Sequence, residues 1–585
     1  MRRVAEALFL AESTRARTAK IAAMADALVA VASQNPESLA FAARFMTGTL
    51  LATGDDRILG AGGAIVFEAA CAVSNATPES LGALTRKHGD LGSAVDEALS
   101  LVGESRTPPG LTLEEAERVA ETLASTGSRA EKFRALTDSL AACSPREARF
   151  LVRAVLGEMR IGAREGIAFD AIAKAFARNP KDVRQAAGLV ADVGELARLA
   201  FEDRLADARV VLGRPLDFML ATPIETARGA DLTASHAVED KVDGIRAQAH
   251  VGPDGIRLFA RGKGAVTTAF PDITVPLERA VREGLAPAIL DGEIVVVTPD
   301  GRPRPFSALQ PRLKKTTPDA SLIAESPVRY LIYDLLYEGS ETLLALPFLE
   351  RRARLVAWAS HAPPPVVLHE SRPLTSGDEK ALDAEFEAAR ARGYEGLVLK
   401  RLDALYTAGV RGFSWLKVKR AFATLDVVVV YAERGHGKRA GVLSDYTFAV
   451  RAGHELLTVG KAYSGLTDAE IRTMTERLEA LALGEEKRGG FPVKPEIVLE
   501  VAFDGIQRSQ RHASGFALRF PRIARLRNDK TPEEADTVDA VQAIWDAQIA
   551  SGHREESTAR KGGRKSGRRP DVRKKSKQLR LFEDD

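Results

Sequence analysis

The pattern of the chain changes near residue 210, and no fold built on one kind of secondary structure accommodates both parts. Residues 1–210 are rich in Ala, Leu, Arg and Glu and lack strand alternation, so helices with short breaks are expected there. Pro108-Pro109-Gly110 is one break. Thr112-x-x-Glu115 after it has the form of a capping box, in which two side chains satisfy amides at a helix start. Phe150, Leu151, Ala154 and Val155 are spaced for one buried helical face, and Met159-Arg160-Ile161-Gly162 follows as a helix–turn with the arginine exposed. From about 216 short β-rich runs take over, at 289–298 and 330–337, with a helical stretch at 378–392. Residues 421–545 are again strand-rich, at 425–431, 446–450 and 496–503, with a helix near 468–482. A chain of 585 residues should hold three or four domains.

Composition narrows the class. Apolar residues make up 45% and charged ones 28%, ordinary for globular protein. Cys71 and Cys143 are the only cysteines, too few for a four-cysteine zinc module and in keeping with a reducing cytoplasm. The start, Met1-Arg2-Arg3-Val4-Ala5-Glu6, lacks the apolar core of a signal peptide, and no membrane-spanning run is expected. Twelve Lys/Arg against six Asp/Glu give residues 551–585 a charge of +6, which leaves −3 for the rest of a chain whose total is +3. Nucleic-acid contact in the folded part must therefore come from local patches, with the tail as a cationic arm. The tail is Gly, Ser, Lys and Arg with few apolar residues, so disorder is expected.

The chemistry concentrates in residues 239–246, Glu-Asp-Lys-Val-Asp-Gly-Ile-Arg. An amine attacks phosphorus only when unprotonated, and a free lysine titrates near about 10.4. A lysine beside an arginine and a metal-bound triphosphate can be depressed toward neutrality and become a nucleophile. Lys241 is the candidate, with Asp243 and Arg246 to fix it and Gly244 to let the backbone turn beside a bulky ligand. A lone Lys-x-Asp-Gly reads equally well as a hairpin turn with solvated charges, so the partners decide. Glycine-rich 434–439 is not a phosphate loop: the Gly-x4-Gly-Lys-Ser/Thr spacing is absent and no helix pattern follows.

The octet resembles the nucleotidyl-lysine motif of the covalent nucleotidyltransferases, which comprise DNA ligases, RNA ligases and capping enzymes. Further motifs follow in family order: Phe259-Ala260-Arg261-Gly262; Ile289-Leu290-Asp291-Gly292-Glu293; Leu331-Ile332-Tyr333-Asp334, with tyrosine where the family usually has phenylalanine; Glu395-Gly396-Leu397-Val398-Leu399-Lys400; Ser414-Trp415-Leu416-Lys417-Val418-Lys419; and Arg527-Asn528-Asp529-Lys530. The resemblance spans about 20–545 and is strongest to ATP-dependent DNA ligases. It implies a multidomain chain. An all-α DNA-binding domain would occupy 1–215, an α+β nucleotidyltransferase domain 216–420 and a β-barrel OB-fold 421–548, followed by a disordered basic tail over 549–585.

The resemblance also implies roles. Lys241 would be the nucleophile. Glu239 would accept from the adenine amine, Tyr333 would stack on the base, and Glu293 would bind the ribose hydroxyl. Arg246 and Arg261 would touch nucleotide and nick phosphate, with Asp243 and Gly244 in support. Arg411, Lys417 and Lys419 would neutralise charge on the α-phosphate. Glu395 and Glu293 would hold Mg2+, for which Mn2+ can substitute. Arg527 and Lys530 would orient pyrophosphate. Residues 151–176, with Arg160 and Gly162, resemble the minor-groove-gripping helical domain of archaeal and eukaryotic replicative ligases, which favours DNA over RNA. Gln578-Leu579-Arg580-Leu581-Phe582 resembles the bacterial sliding-clamp pentapeptide, with Arg580 at the usual Ser/Asp position; Gln578, Leu579, Leu581 and Phe582 would make that contact.

The expected activity is ATP-dependent sealing of nicked duplex DNA by a cytoplasmic, nucleoid-associated monomer, in replication, repair or recombination. Three other readings make different predictions. An RNA ligase or capping enzyme predicts RNA ends or GTP, against Glu239 and the helical domain. A non-catalytic scaffold predicts lost motif residues, and none of the charged ones is missing. An NAD-dependent ligase predicts a zinc finger that two cysteines cannot build.

Overall fold

The computed structural model describes residues 1–55, 57–102, 108–161, 165–224, 232, 235–262, 264–313, 315, 317–374, 377–418, 423–435, 439, 441–486 and 489–550. Gly162, Lys419 and the peptide holding Gln578, Leu579, Leu581 and Phe582 lie outside the described residues.

The N-terminal part is helical throughout, from Arg2–Ser13 to Val193–Phe201, and no strand occurs there among the described residues. Helix starts are written into the sequence. Thr112 and Glu115 form the reciprocal cap ahead of Leu113–Ser125, and Ser144 with Glu147 does the same for Pro145–Val155. The latter helix turns Phe150, Leu151 and Ala154 into one core with Phe41, Phe45 and Leu28. A buried ion network ties the layers. Arg153, 2% exposed, donates to Asp90 at 2.9 and 3.0 Å and to Glu12 at 3.0 and 3.1 Å. Asp90 also caps helix Leu91–Leu101. Gly92 lets that helix approach: a Cβ there would lie 2.6 Å from the Arg149 carbonyl oxygen.

The central part is two sheets. In the first, strands run in the order Leu220–Ile224, Arg411–Val418, Gly396–Arg401, His236–Lys241, Arg372–Pro373. The second runs Gly255–Ala260, Ile245–Gly252, Ala288–Val296, Val328–Glu338, Glu341–Thr342. Helix Glu379–Ala391, capped by Asp378, covers the first sheet through Leu382 and Phe386. The C-terminal part is strand-rich, ordered Glu455–Ala462, Leu443–Ala452, Ala423–Arg434, Val498–Phe503, Arg522–Leu526. Helix Asp468–Ala480 and the hairpin Gly505–Arg508/Phe516–Arg519 pack on it. Multidomain organisation, with helical, mixed and strand-rich parts in that order, is as expected from the sequence. Among the described residues no helix is long and apolar enough to cross a membrane.

The second sheet holds a histidine that ties stability to pH. His250 is 2% exposed, and its Nδ1 accepts from the Gly213 amide at 3.1 Å. Burial, helped by nearby Arg257, pulls it from 6.5 to about 3. The folded state therefore refuses a proton that the unfolded state accepts below 6.5. This contribution is fully present above 6.5 and falls by about 1.4 kcal/mol per pH unit as pH drops toward 3. Wild-type thermal stability should fall more steeply between pH 6.5 and 4.5 than that of His250→Gln. Parallel melting curves for the two would contradict this assignment.

Candidate active site

Strand register builds one wall of a pocket between the two central sheets. Lys241 faces Gly396 across the ladder, Glu239 faces Val398, and Ala237 faces Lys400. On the next strand Val398 pairs with Lys417 and Lys400 with Trp415. Alternation then puts Glu239, Lys241, Val398, Lys400, Trp415 and Lys417 on one face, and all six line the pocket. Leu397, Leu399, Leu416 and Val418 face the other way into the core under helix Glu379–Ala391. Asp240 also faces away, paired with Arg372 and Arg392 at 2.8 Å. Burial would raise its carboxyl, but those two guanidiniums hold it below the usual range.

The second sheet supplies the opposite wall with Arg246, Glu293 and Tyr333, and the exposed Arg261 and Arg411 also line the pocket. Arg246 is anchored from behind. It donates to Asp291 at 2.6 and 3.0 Å and to the Met219 carbonyl at 2.8 Å. Asp291 is fully buried and also accepts from Tyr406 Oη at 2.8 Å. Arg246 has five N–H donors, and these bonds use three. Burial pushes the Glu293 carboxyl up to about 7 against the opposing charges of Lys241 and Arg246, so near neutrality it both accepts and donates hydrogen bonds. Gly244 is not needed for a left-handed turn. A Cβ there would lie 2.3 Å from the Ile294 carbonyl oxygen and 2.9 Å from Glu293 Cγ, so glycine lets the Lys241 loop lie against the Glu293 strand.

Lys241 Nζ is hydrogen-bonded to Glu395 Oε2, and the Glu395 amide donates to the Lys241 carbonyl at 2.8 Å. Among the described residues no cluster of three His, Cys, Asp or Glu forms a ready-made metal cage. A carboxylate beside Lys241 does fit Mg2+, which takes one or two protein carboxylates and completes its shell with phosphate oxygens and water.

At the other end of the pocket, Glu239 Oε2 meets Lys400 Nζ at 2.8 Å, while Oε1 is buried with no hydrogen-bond partner. Tyr333 stands edge-on to Trp415, with ring centroids 6.4 Å apart. His369 lines the pocket and donates from Nε2 to the Asp240 carbonyl at 2.8 Å. That bond replaces a ladder rung, because the flanking strand Arg372–Pro373 pairs only with Ala237 and Val238.

Two sets of residues singled out in the sequence stand away from the pocket. Arg527 donates to Asp426 at 2.7 and 2.8 Å and to Asp529 at 2.8 and 3.0 Å, and Lys530 donates to Asp426 at 2.6 Å. A carboxylate of the C-terminal part thus holds both cations. Arg160 is exposed in a left-handed conformation, φ 55°, bonded to Glu158 at 2.7 Å and to the Gly89 carbonyl at 2.8 Å.

What the C-terminal part presents to the site is the Phe516–Arg519 hairpin strand. Arg519 Nη2 lies 3.3 Å from Asp243 Oδ2, which also accepts from the Phe306 amide at 3.2 Å. Phe520 follows, 68% exposed and at φ 50°. Sequence reading missed Arg519, Phe520 and His369. Arg519 meets Asp243 from 276 residues away and Phe520 follows it, while His369 bonds from a loop, so none carries a periodic or motif signal.

The chain matches three family descriptions: DNA ligase N terminus over residues 2–173, ATP dependent DNA ligase domain over 218–419, and ATP dependent DNA ligase C terminal region over 439–530. It is 42% identical over 560 residues to a probable DNA ligase of Koribacter versatilis, covering 92% of this chain and 95% of that one. It is 36% identical to DNA ligase 1 of Korarchaeum cryptofilum, covering 94% and 99%. The solved structure of Pmar-Lig_PreS3 superposes over 90% of this chain and 99% of its own with a TM-score of 0.56 at 16% identity, a likeness of fold. Identity of 42% along nearly the whole of both chains goes well beyond a shared architecture, and the chain belongs to the ATP-dependent DNA ligases, enzymes that seal nicks in DNA.

Proposed function

We propose that Lys241 is the adenylated residue and that the pocket around it is the adenylate site. The observation that carries this reading is convergence: residues from six sequence motifs, separated by up to about 180 positions, line a single pocket with Lys241. The unprotonated Lys241 Nζ attacks the α-phosphorus of ATP; an N–P bond forms and the bond to pyrophosphate breaks. Glu239 Oε1, buried and unpartnered, accepts from the adenine amine. Tyr333 offers a ring to the base, Glu293 bonds a ribose hydroxyl, and Arg246 and Arg261 bond the nucleotide and the nick phosphate. Arg411, Lys417 and Lys419 neutralise charge developing on the α-phosphate. Mg2+ held by Glu395 and Glu293 would supply further neutralisation of phosphate charge, and Mn2+ can serve there. A nick 5′-phosphate oxygen then attacks the lysyl-adenylate and frees Lys241. Finally the 3′-hydroxyl attacks the adenylated end, and AMP leaves.

Adenylation and sealing call for different faces of the C-terminal part. We assign Arg527 and Lys530 to pyrophosphate, which requires that part to swing about a hinge near 417–424 and release them from Asp426. The present arrangement, with Arg519 on Asp243, suits the DNA steps. In this reading 1–215 is a DNA-binding domain with Arg160 and Gly162 at the backbone, 216–420 the adenylyltransferase and 421–548 an OB-fold. The tail over 549–585 engages a sliding clamp through Gln578, Leu579, Leu581 and Phe582, and the enzyme works as a cytoplasmic, nucleoid-associated monomer on nicked duplex DNA.

Arg519→Ala tests the division of labour. The pair is half-exposed, with side chains 25% and 35% accessible, so its loss should cost no more than about 1 kcal/mol. Sealing of nicked DNA by pre-adenylated enzyme should slow about fivefold, while the rate of adenylation by ATP stays within about twofold. A variant slowed equally in both steps would contradict the assignment.

A further inference from the structure

Lys400 is the most unusual buried charge in the pocket. It is 1% exposed, yet it carries an ammonium group into the protein interior. Three rings surround that group: Tyr333 at 4.3 Å, Trp415 at 4.4 Å and Phe348 at 4.9 Å from Nζ to ring centroid. Its hydrogen bonds go to Glu239 Oε2 at 2.8 Å and to the Tyr333 carbonyl at 3.3 Å. A lysine is almost never buried to this degree unless its surroundings are built for it. Here both the residue proposed to read the base edge and the residue proposed to stack on the base face are bound to the same cation.

We propose that Lys400 is the positioning residue that sets nucleobase selectivity. It holds one oxygen of Glu239, a residue that lines the pocket, and thereby leaves the other, Oε1, buried and unpaired. A purine with a 6-amino group satisfies that oxygen with an N–H donor. A 6-oxo purine presents an acceptor to an acceptor, and a purine with hydrogen at position 6 leaves the carboxylate oxygen unsatisfied. Arg352 is a second cation near Glu239, with a buried, unpartnered Nη1. Without Lys400 the Glu239 carboxylate would be drawn toward Arg352 and away from the base. The cation over the Tyr333 and Trp415 rings fixes the stacking platform at the same time. This inference rests on the adenylate-site reading above.

The test compares ATP with purine riboside triphosphate, which lacks the 6-amino group. Adenylation efficiency for each is read as the rate of covalent adduct on Lys241, by mass spectrometry of the full chain. Wild type should favour ATP by about tenfold or more. In Lys400→Met that ratio should fall to near one, and in Lys400→Arg, which keeps a charge for Glu239 and the rings, it should largely return. If Lys400 only fills the core, both nucleotides should lose efficiency together with the ratio unchanged, and that result overturns the proposal. Should Lys400→Met not fold, Lys400→Gln reads the same ratio: a reduced ratio supports the proposal and an unchanged one overturns it. A wild-type protein that forms no adduct from ATP would instead sink the adenylate-site reading itself.

Discussion

Lys241→Ala is expected to abolish sealing from free ATP, with at least about a thousandfold loss, while binding to nicked DNA stays largely intact. The size of the effect follows from its cause. In the proposed mechanism the side chain supplies the atom that bonds to phosphorus, and removing a nucleophile leaves only the binding and charge-stabilising contributions of the site. The loss should be specific to the nucleotide step. The lysine stands on a strand whose backbone is secured on both sides, by the Gly396–Arg401 ladder and by His369, so alanine should not disturb the pocket. DNA carrying a preformed 5′-adenylate should therefore still be sealed by the variant, because that substrate enters after the lysine has done its work. A variant that seals ordinary nicks from ATP, or one that fails equally on adenylated DNA, would contradict the covalent role.

Asp334→Ala should produce the largest loss of stability. Asp334 and Arg351 are both fully buried, and Arg351 donates to the two carboxylate oxygens at 2.8 and 2.9 Å. Arg351 also donates to the Leu346 and Ala404 carbonyls at 2.6 and 3.0 Å, so it cannot move out to water once its partner is gone. Removing one member of a buried pair strands the other and costs about 3–5 kcal/mol. For a part of this size that corresponds to a fall in melting midpoint of roughly 10 °C. Replacing both members, Asp334→Leu with Arg351→Met, should recover most of the loss, because no charge is then left buried alone. A single variant within about 1 kcal/mol of wild type would show that the pair is solvated, against the observed burial.

Asp334 also shows how far sequence reading reaches. The aromatic-Asp strand was legible as a motif, with Tyr333 as its base-stacking residue. It did not reveal that the aspartate is a strut for Arg351, seventeen residues later in the next helix. The same limit applies elsewhere. The helix start at Thr112 was readable because caps are local chemistry. The alternation of Lys417 with Leu416 and Val418 is legible in the sequence because period two is local geometry. Gly244 was read as a turn beside a ligand, but its reason is the Ile294 carbonyl fifty residues away. Arg527 and Lys530 were recognised by type, yet their partner here is Asp426, which no spacing rule connects to them. Lys400 was legible as the last residue of the 395–400 motif, with no role assigned to it. Its burial among Tyr333, Trp415 and Phe348 depends on tertiary closure of two sheets.

The central claim is a covalent adenylate on Lys241 that is handed to nicked DNA. Its most direct test is incubation of the full chain with Mg2+ and ATP labelled at the α-phosphate, with unlabelled GTP and NAD as competitors, followed by a chase with nicked duplex. The account predicts label that survives denaturation, is absent in Lys241→Ala, resists competition by GTP and NAD, and is discharged by nicked DNA as the nick closes. Label taken from GTP or NAD instead, label retained in Lys241→Ala, or label that nicked DNA does not remove would contradict it.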